Sequence, residues 1–211
     1  MRKNFSVYLK GICFVTDRKY CGLSFYDMTE AVLKAGIRFI QYRDKDRTRR
    51  EIYEEAARLR ELTRPFGATL IINDHADIAR CVDADGVHLG QEDLPLKEAR
   101  KLMGKKIIGI STHNLAQAKE AEQGGADYIG FGPIFHTTTK DAGAPRGVDS
   151  IGSIKQNVSI PVVAIGGINM ENIKEIFRAG ADAAALATAI CRGNAAENAK
   201  RLVQLLKEAE F

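Results

Sequence analysis

The sequence predicts an α/β fold in which residues 1–211 form one domain, a single (β/α)8 or TIM barrel. Short apolar runs alternate with amphipathic helical stretches from one end of the chain to the other. Within each run the apolar residues are continuous rather than alternating, which is typical of strands that helices cover on both faces. No linker, low-complexity segment or block of like charge divides the chain.

Eight apolar runs are the predicted strands: Gly11–Thr16, Phe39–Tyr42, Thr69–Ile72, Gly86–Leu89, Ile107–Ile110, Tyr128–Phe131, Val162–Ile165 and Ala183–Ala187. The helical patterns between and after them are Asp27–Ala35, Arg49–Arg64, Leu96–Met103, Leu115–Gln123, Ile151–Gln156, Met170–Ala179 and Asn194–Glu210. Alternation of this kind predicts parallel strands with right-handed crossovers, and the strand count favours closure into a barrel. A doubly wound open sheet is the alternative, but no G-x-G-x-x-G segment follows the first strand.

Capping residues support several of these helix boundaries. Asn114 and Asn169 each stand directly before a predicted helix, where an amide oxygen can accept a hydrogen bond from a free backbone N–H. Gly36 and Gly180 stand where helices should end, because glycine readily takes the left-handed conformation of a helix C-terminus.

Composition narrows the function classes. The chain is 45% hydrophobic and 27% charged, with a net charge of +4, as in an ordinary globular protein. Lys and Arg are spread along the chain and aromatic residues are few, so the sequence does not predict a nucleic-acid partner. A small phosphorylated ligand is sufficient to account for the modest positive balance.

Cysteine usage and hydropathy predict a cytoplasmic location. Cys13, Cys21, Cys81 and Cys191 include no C-x-x-C pair and no metal-like spacing, so we expect reduced, mostly packed thiols. No apolar run approaches the roughly 20 residues that span a membrane, and no apolar segment of a signal peptide follows the N-terminus. We therefore expect no membrane partner.

The active site of a (β/α)8 barrel lies at the carboxyl ends of its strands, so the residues that follow each strand are the candidates. Gln41, Arg43 and Lys45 end the second strand, and alternation places them on one face with Tyr42 and Asp44 on the other. Two cations and an amide on one face predict a site for a di- or triphosphate. A solvated charge run is the alternative, since the polar stretch continues into a loop.

Two aspartates follow the next two strands. Asn73 and Asp74 end the third strand, and Asp93 follows the fourth. Carboxylates on adjacent strands can share one Mg2+, an ion that prefers carboxylate, water and phosphate oxygens. The alternative is that Asp74 or Asp93 caps the following helix, and the two roles are compatible. Three other aspartates are interpreted as surface or turn residues: Asp77, Asp83 and Asp85.

The remaining strand ends carry hydroxyls and glycines. Ser111 and His113 follow the fifth strand, and His113 is as compatible with a structural role as with a catalytic one. Four consecutive residues after the sixth strand suit a phosphorylated ligand: Thr137, Thr138, Thr139 and Lys140. Gly167 after the seventh strand and Thr188 after the eighth match the common phosphate site of these barrels. Two phosphate sites flanking a metal suit displacement of pyrophosphate by a phosphorylated nucleophile.

The chain resembles the thiamine phosphate synthase family. The matching segments come in the family's order over nearly the whole chain: Gln41–Lys45, Ile72–Asp74, Ala84–Pro95, Ile108–His113, Ala126–Phe135 with Thr137–Lys140, and Pro161–Ile168. The resemblance implies a Mg2+-assisted transferase that joins a hydroxymethylpyrimidine diphosphate to a thiazole phosphate and releases pyrophosphate. It also implies that pyrophosphate leaves first and that the thiazole nitrogen traps a pyrimidine cation.

The resemblance also implies a role for each matching residue. The pyrimidine diphosphate would contact Gln41, Arg43, Lys45, Asn73, Ser111 and Lys140, of which Arg43, Lys45, Ser111 and Lys140 would be catalytic. Asp74 and Asp93 would bind Mg2+. The thiazole phosphate would contact Thr137, Thr138, Thr139, Gly167, Ala187 and Thr188. His136 and Thr188 depart from the family, which usually has proline and serine there.

Three other readings compete with this one. A thiazole tautomerase lacks the metal aspartates and has a catalytic histidine at the position of Pro133. This chain has both Asp74 and Asp93, and it has proline at that position. A non-catalytic phosphate-ligand sensor or carrier would not need both the carboxylate pair and the cationic cluster. A generic phosphate-binding barrel enzyme does not explain the ordered segments. The sequence leaves the oligomeric state open, although parallel barrels often form homo-oligomers. It also leaves open whether the thiazole carries a carboxylate and whether the loop after Lys140 closes as a lid.

Overall fold

The computed structural model describes residues 9–20, 24–137 and 143–208 and contains the expected closed parallel barrel. Neighbouring strands pair in sequence order, and the last strand pairs with the first to close the barrel. The strands are β1 Gly11–Val15, β2 Phe39–Tyr42, β3 Thr69–Asn73, β4 Gly86–Leu89, β5 Ile107–Thr112, β6 Tyr128–Phe131, β7 Val162–Ile165 and β8 Ala183–Leu186. The predicted fold class is confirmed, and each strand lies within two residues of its predicted bounds.

Helices surround the barrel on its outer side. They are α1 Phe25–Ala35, α2 Arg49–Thr63, α3 Ala76–Cys81, α4 Leu96–Met103, α5 Leu115–Gly124, α6 Asp149–Lys155, α7 Ile173–Arg178, α8 Thr188–Cys191 and α9 Ala195–Glu208, with a 3-10 turn at Arg64–Phe66. The sequence analysis named neither α3, which has six residues, nor α8, which has four. Within the described residues, no helix combines the length and apolarity that crossing a bilayer requires.

The capping predictions hold in part. The Asn114 side chain accepts a hydrogen bond from the Gln117 N–H, and Gly36 is left-handed at φ 109°, both as predicted. Asn169 lies one turn too early to cap α7, which begins at Ile173. Its amide oxygen instead accepts from two backbone N–H groups of the turn before that helix.

The buried side chains form two cores separated by the sheet. The outer core lies between the strands and the helices, and the inner core fills the barrel. Tyr42 and Phe25 meet edge to face in the outer core, whereas Tyr128 and Phe39 do so in the inner core. Strand alternation therefore determines which residues can face the barrel axis and reach the site at its end.

Three aspartates tie neighbouring strands together at the amino-terminal rim of the barrel. Asp85, Asp127 and Asp182 each precede an even-numbered strand and accept a hydrogen bond from a backbone N–H of the preceding odd-numbered strand. Each also pairs with a cation on a helix, namely Arg60, Arg100 and Lys155 respectively. Asp85 lies in a bend and is partly exposed, as interpreted, but its carboxylate also joins β3 to α2.

The cysteine prediction is correct at two described positions. Cys13 in the barrel and Cys191 are buried, and burial raises the pKa of the Cys13 thiol, so this thiol is unreactive. Cys81 is exposed, and Cys21 lies outside the described residues.

Candidate active site

A cavity opens at the carboxyl ends of the strands. Its volume is about 140 Å³, and residues from six of the eight strand ends contribute to its wall. Among the predicted site residues, those that line it are Arg43, Ser111, Thr137, Gly167, Ala187 and Thr188. The predicted residues that lie outside this lining, at the ends of β2, β3 and β4, are Gln41, Lys45, Asn73, Asp74 and Asp93. Thr138, Thr139 and Lys140 fall outside the described residues.

Arg43 is held at the rim by its own backbone. The Thr16 hydroxyl accepts a hydrogen bond from the Arg43 N–H at 2.8 Å and donates to the Arg43 carbonyl at 3.0 Å. These two bonds join the end of β1 to the residue after β2. Arg43 Nη1 lies 3.9 Å from the Asp17 carboxylate, which also lines the cavity and is only 5% exposed. The cationic head is thus directed into the cavity.

The other face of the same segment is structural, as alternation predicts. Tyr42 is buried in the outer core. The Asp44 carboxylate is buried and accepts a hydrogen bond from Arg18 Nε at 2.8 Å, and Arg18 also contacts Glu55 on α2. This network fixes the polar loop that follows β2, so the loop is more than a solvated charge run.

Asp74 and Asp93 lie after neighbouring strands, β3 and β4. Asp74 has a left-handed backbone at φ 63°, its N–H donates to the His88 carbonyl at 2.8 Å, and its carboxylate pairs with Lys45. Asp93 Oδ2 accepts from the Gly90 N–H at 2.6 Å, while the N-cap position of α4 belongs to Pro95. Asp93 therefore does not cap α4. Within the described residues, no group of three or more His, Cys, Asp or Glu side chains could hold a metal.

Ser111 belongs to a hydrogen-bonded chain that the sequence analysis missed. Its hydroxyl lies 2.8 Å from His88 Nε2, and His88 Nδ1 lies 2.8 Å from the Tyr128 hydroxyl. Gln91 also donates to the Ser111 carbonyl at 2.6 Å. The available signal was a histidine within the apolar run Gly86–Leu89, since a polar residue inside a buried strand is informative.

His113 lines the cavity next to the β6–α6 connection. Its Nδ1 lies 2.8 Å from the Gly132 carbonyl, which can only accept, so Nδ1 carries the proton. The Gly132–Pro133 peptide bond is cis. This hydrogen bond orients His113 against the residue that follows β6, whereas the sequence analysis had left its role open between structural and catalytic.

The two glycines after β7 allow the β6–α6 connection to approach closely. A Cβ atom on Gly166 would lie 2.6 Å from Pro133 Cβ, and one on Gly167 would lie 2.5 Å from the His136 carbonyl oxygen. Both glycines have positive φ, at 102° and 66°. This packing holds the segment that leads to Thr137 against the end of β7. Thr188 begins the short α8 on the same side of the cavity.

A closed (β/α)8 barrel with a cavity at its carboxyl-terminal rim places the chain in the TIM-barrel class. The family model described as thiamine monophosphate synthase matches residues 12–190, and the chain belongs to that family. The resemblance noted in the sequence is thereby confirmed.

Known relatives agree over most of the chain. A thiamine-phosphate synthase of Chloroflexus aurantiacus is 48% identical over 192 residues, covering 89% of this chain and 89% of the relative. One of Pelotomaculum thermopropionicum is 50% identical over 188 residues, covering 88% of this chain and 85% of the relative. The solved thiamine phosphate pyrophosphorylase of Pyrococcus furiosus is 36% identical with a TM-score of 0.90, covering 99% of this chain and 100% of that one.

Proposed function

We propose that the chain is a thiamine phosphate synthase, which joins hydroxymethylpyrimidine diphosphate to thiazole phosphate and forms thiamine phosphate and pyrophosphate. Family membership supports the reaction. The observation that carries the assignment of the site is the shared cavity. Arg43 and Ser111 line it together with Thr137, Gly167 and Thr188, so groups expected for two substrates face one space. Two substrates must meet in one space for a bond to form between them.

The diphosphate is assigned to the side of the cavity where Arg43 follows β2, next to the end of β3. Arg43 offers a planar guanidinium that suits phosphate oxygens, and Lys45 offers a point charge. Asn73 and Gln41 supply amide donors at the ends of β3 and β2, and Lys140, which follows β6 in the sequence, is proposed as a further cation. These charges stabilise pyrophosphate as it leaves, which is the main demand of the reaction.

Asp74 and Asp93 are the proposed ligands of Mg2+. Their hard oxygen donors suit the ion, and a cation, the Lys45 ammonium, already pairs with Asp74. Two carboxylates are enough, because Mg2+ is usually bound through one or two of them together with waters and substrate phosphates. When bound, Mg2+ supplies positive charge to the diphosphate oxygens.

The thiazole phosphate is assigned to the opposite side of the cavity. Gly167 and the residues that begin α8, Ala187 and Thr188, offer backbone N–H groups and a hydroxyl. Thr137 adds a second hydroxyl, and Thr138 and Thr139 continue that segment of the sequence. The usual serine of the family is threonine here, which keeps the hydroxyl that a phosphate needs.

The proposed reaction breaks one bond and forms another. The C–O bond between the pyrimidine methylene and the diphosphate breaks, and both electrons leave with pyrophosphate. The thiazole nitrogen then donates its lone pair to the methylene carbon and forms the new C–N bond. The substrate's amino group stabilises the intermediate cation, so the chain's residues mainly bind, orient and balance charge. A cytoplasmic location and association into a homo-oligomer remain predictions from the sequence.

The test is pyrophosphate release by the purified protein, measured with both substrates and with each alone. We expect release that needs both substrates, that matches thiamine phosphate formation, and that stops when EDTA removes Mg2+. Release without thiazole phosphate would indicate a hydrolase instead. A folded protein that binds thiazole phosphate but releases no pyrophosphate would contradict the assignment and favour a tautomerase or a binding protein.

A further inference from the structure

A chain of three hydrogen-bonded side chains connects the interior of the barrel to the cavity. It begins at Tyr128, which is 1% exposed, passes through the imidazole of His88, which is 9% exposed, and ends at Ser111 in the cavity wall. Both heavy-atom distances are 2.8 Å, which is a normal length for such hydrogen bonds. Residues on three neighbouring strands, β4, β5 and β6, therefore share one polar connection inside an apolar core.

Two glycines provide the space that this chain occupies. A Cβ atom on Gly109 would lie 2.0 Å from Tyr128 Cζ, and one on Gly130 would lie 2.9 Å from His88 Cε1. The Tyr128 ring also packs edge to face on Phe39, with centroids 5.9 Å apart. The rings cannot shift easily in such surroundings, so the geometry of the chain is fixed by packing.

The direction of each hydrogen bond follows from the Tyr128 hydroxyl. Burial, together with Cys13 and Asp127, raises the pKa of Tyr128 well above its usual value, so the phenol keeps its proton. Among the described residues, this buried hydroxyl has His88 Nδ1 as its hydrogen-bond partner, and it must therefore donate its proton to that nitrogen. A hydroxyl that donates to Nδ1 leaves the proton of a neutral imidazole on Nε2. Nε2–H then donates to Ser111 Oγ.

We propose that Tyr128 and His88 are positioning residues that fix Ser111 as a hydrogen-bond donor to a substrate atom in the cavity. The Ser111 oxygen already accepts from His88, so its own hydrogen points to the remaining partner, the ligand. The atom it selects must be an acceptor. In the pyrimidine diphosphate the ring nitrogens and the phosphate oxygens accept hydrogen bonds, whereas the amino group donates, so Ser111 binds one of these acceptors and not the amino group. This last step rests on the proposed function.

The first test reads the histidine tautomer directly and needs no substrate. A long-range 1H–15N correlation spectrum of the labelled protein resolves the four histidines, and a His88→Gln variant assigns the signal of His88. We expect a protonated Nε2 and an unprotonated Nδ1. A proton on Nδ1 would overturn the proposal, whatever the protein's activity.

The second test measures steady-state kinetics with the pyrimidine diphosphate as the varied substrate. Tyr128→Phe keeps the ring but removes the hydroxyl, and it should lower kcat/KM about tenfold, the size of one hydrogen bond. Ser111→Ala should cost at least as much, and the double variant should lose no more than Ser111→Ala alone. Additive losses, or unchanged kinetics of Tyr128→Phe, would overturn the coupling.

Tyr42→Phe is the matched control. Tyr42 is equally buried, and among the described residues its hydroxyl has no hydrogen-bond partner. This substitution should leave kcat/KM unchanged. If the wild-type protein forms no thiamine phosphate, the proposed function is wrong. The tautomer measurement would still decide the direction of the hydrogen bonds in that case.

Discussion

Asp127 is expected to be the most important of the three aspartates that tie the strands at the amino-terminal rim. Asp127 Oδ2 accepts from the Ile108 N–H at 2.8 Å and from Arg100 Nη2 at 2.5 Å. Its side chain is 6% exposed and that of Arg100 is 23% exposed. Asp127→Ala removes the shared acceptor and leaves both donors in a partly buried site.

The magnitude follows from that burial. Removing one partner of a buried ion pair costs about 3–5 kcal/mol, whereas an exposed pair contributes about 0–1 kcal/mol. Asp127→Ala should lie near the lower end of the first range, at about 3 kcal/mol, because Arg100 keeps hydrogen bonds to the carbonyls of Gly104, Lys106 and Gly125. Asp127→Asn can keep one oxygen in place and should cost only about 1 kcal/mol.

Urea unfolding followed by circular dichroism measures these differences. The corresponding alanine variants of Asp85 and Asp182 should cost less than Asp127→Ala, because their side chains are 33% and 24% exposed. Asp77→Ala removes an exposed pair with Arg49 and is the control. The reasoning is refuted if Asp127→Ala is no less stable than Asp77→Ala, or if it impairs catalysis while leaving stability unchanged.

Three further predictions concern packing, acid stability and the metal. Gly109→Ala should destabilise the fold by about 3 kcal/mol, because the new Cβ atom would overlap the Tyr128 ring. Gly152→Ala on α6 should stabilise the fold by about 0.5–1 kcal/mol, because the atom nearest to the new Cβ is 3.8 Å away. Equal unfolding midpoints of the two variants would contradict the steric argument. Hydrogen bonds from the Thr48 backbone, and then from Arg47 and the Thr48 hydroxyl, lower the pKa of Glu51 to about 2. The ionised Glu51 carboxylate therefore stabilises the folded state above about pH 4.5, and this contribution is lost as the pH falls towards 2. Melting curves of Glu51→Gln should therefore show a weaker acid dependence than those of the control Glu54→Gln, and parallel curves would reject this. Asp93→Asn should reduce Mg2+-dependent pyrophosphate release by about 100-fold, and Glu92→Gln should not; near-normal release by the Asp93 variant would exclude its metal role.

The sequence predicted the barrel well because its strands are buried on both faces. A continuous apolar run between helical stretches marks such a strand, and all eight were found within two residues. Polar residues directly after a strand were equally easy to find, and Arg43 and Ser111 do line the cavity. The position of a residue at a strand end determines the rim on which it lies, so this part of the site follows from chain order alone.

The parts that sequence reasoning missed depend on three-dimensional pairing. His88 and Tyr128 lie inside strands whose other residues are apolar, and the sequence analysis gave them no role in the site. Only the register between β4, β5 and β6 brings them to Ser111. Asp17 was missed for a similar reason, because its role in the wall depends on the neighbouring position of Arg43. A polar residue within a buried strand is the signal to examine in related barrels.

The two rims of the barrel solve different physical problems. At the amino-terminal rim, the Asp127 carboxylate accepts hydrogen bonds from a backbone N–H and from the Arg100 guanidinium, so its charge is balanced within the fold. At the carboxyl-terminal rim, Arg43 Nη1 lies 3.9 Å from the Asp17 carboxylate, and the Asp74 carboxylate pairs with the exposed ammonium of Lys45. Long or exposed ion pairs contribute little to stability, but they leave charge available to a ligand. Substitutions at the first rim should therefore change unfolding, and those at the second should change turnover.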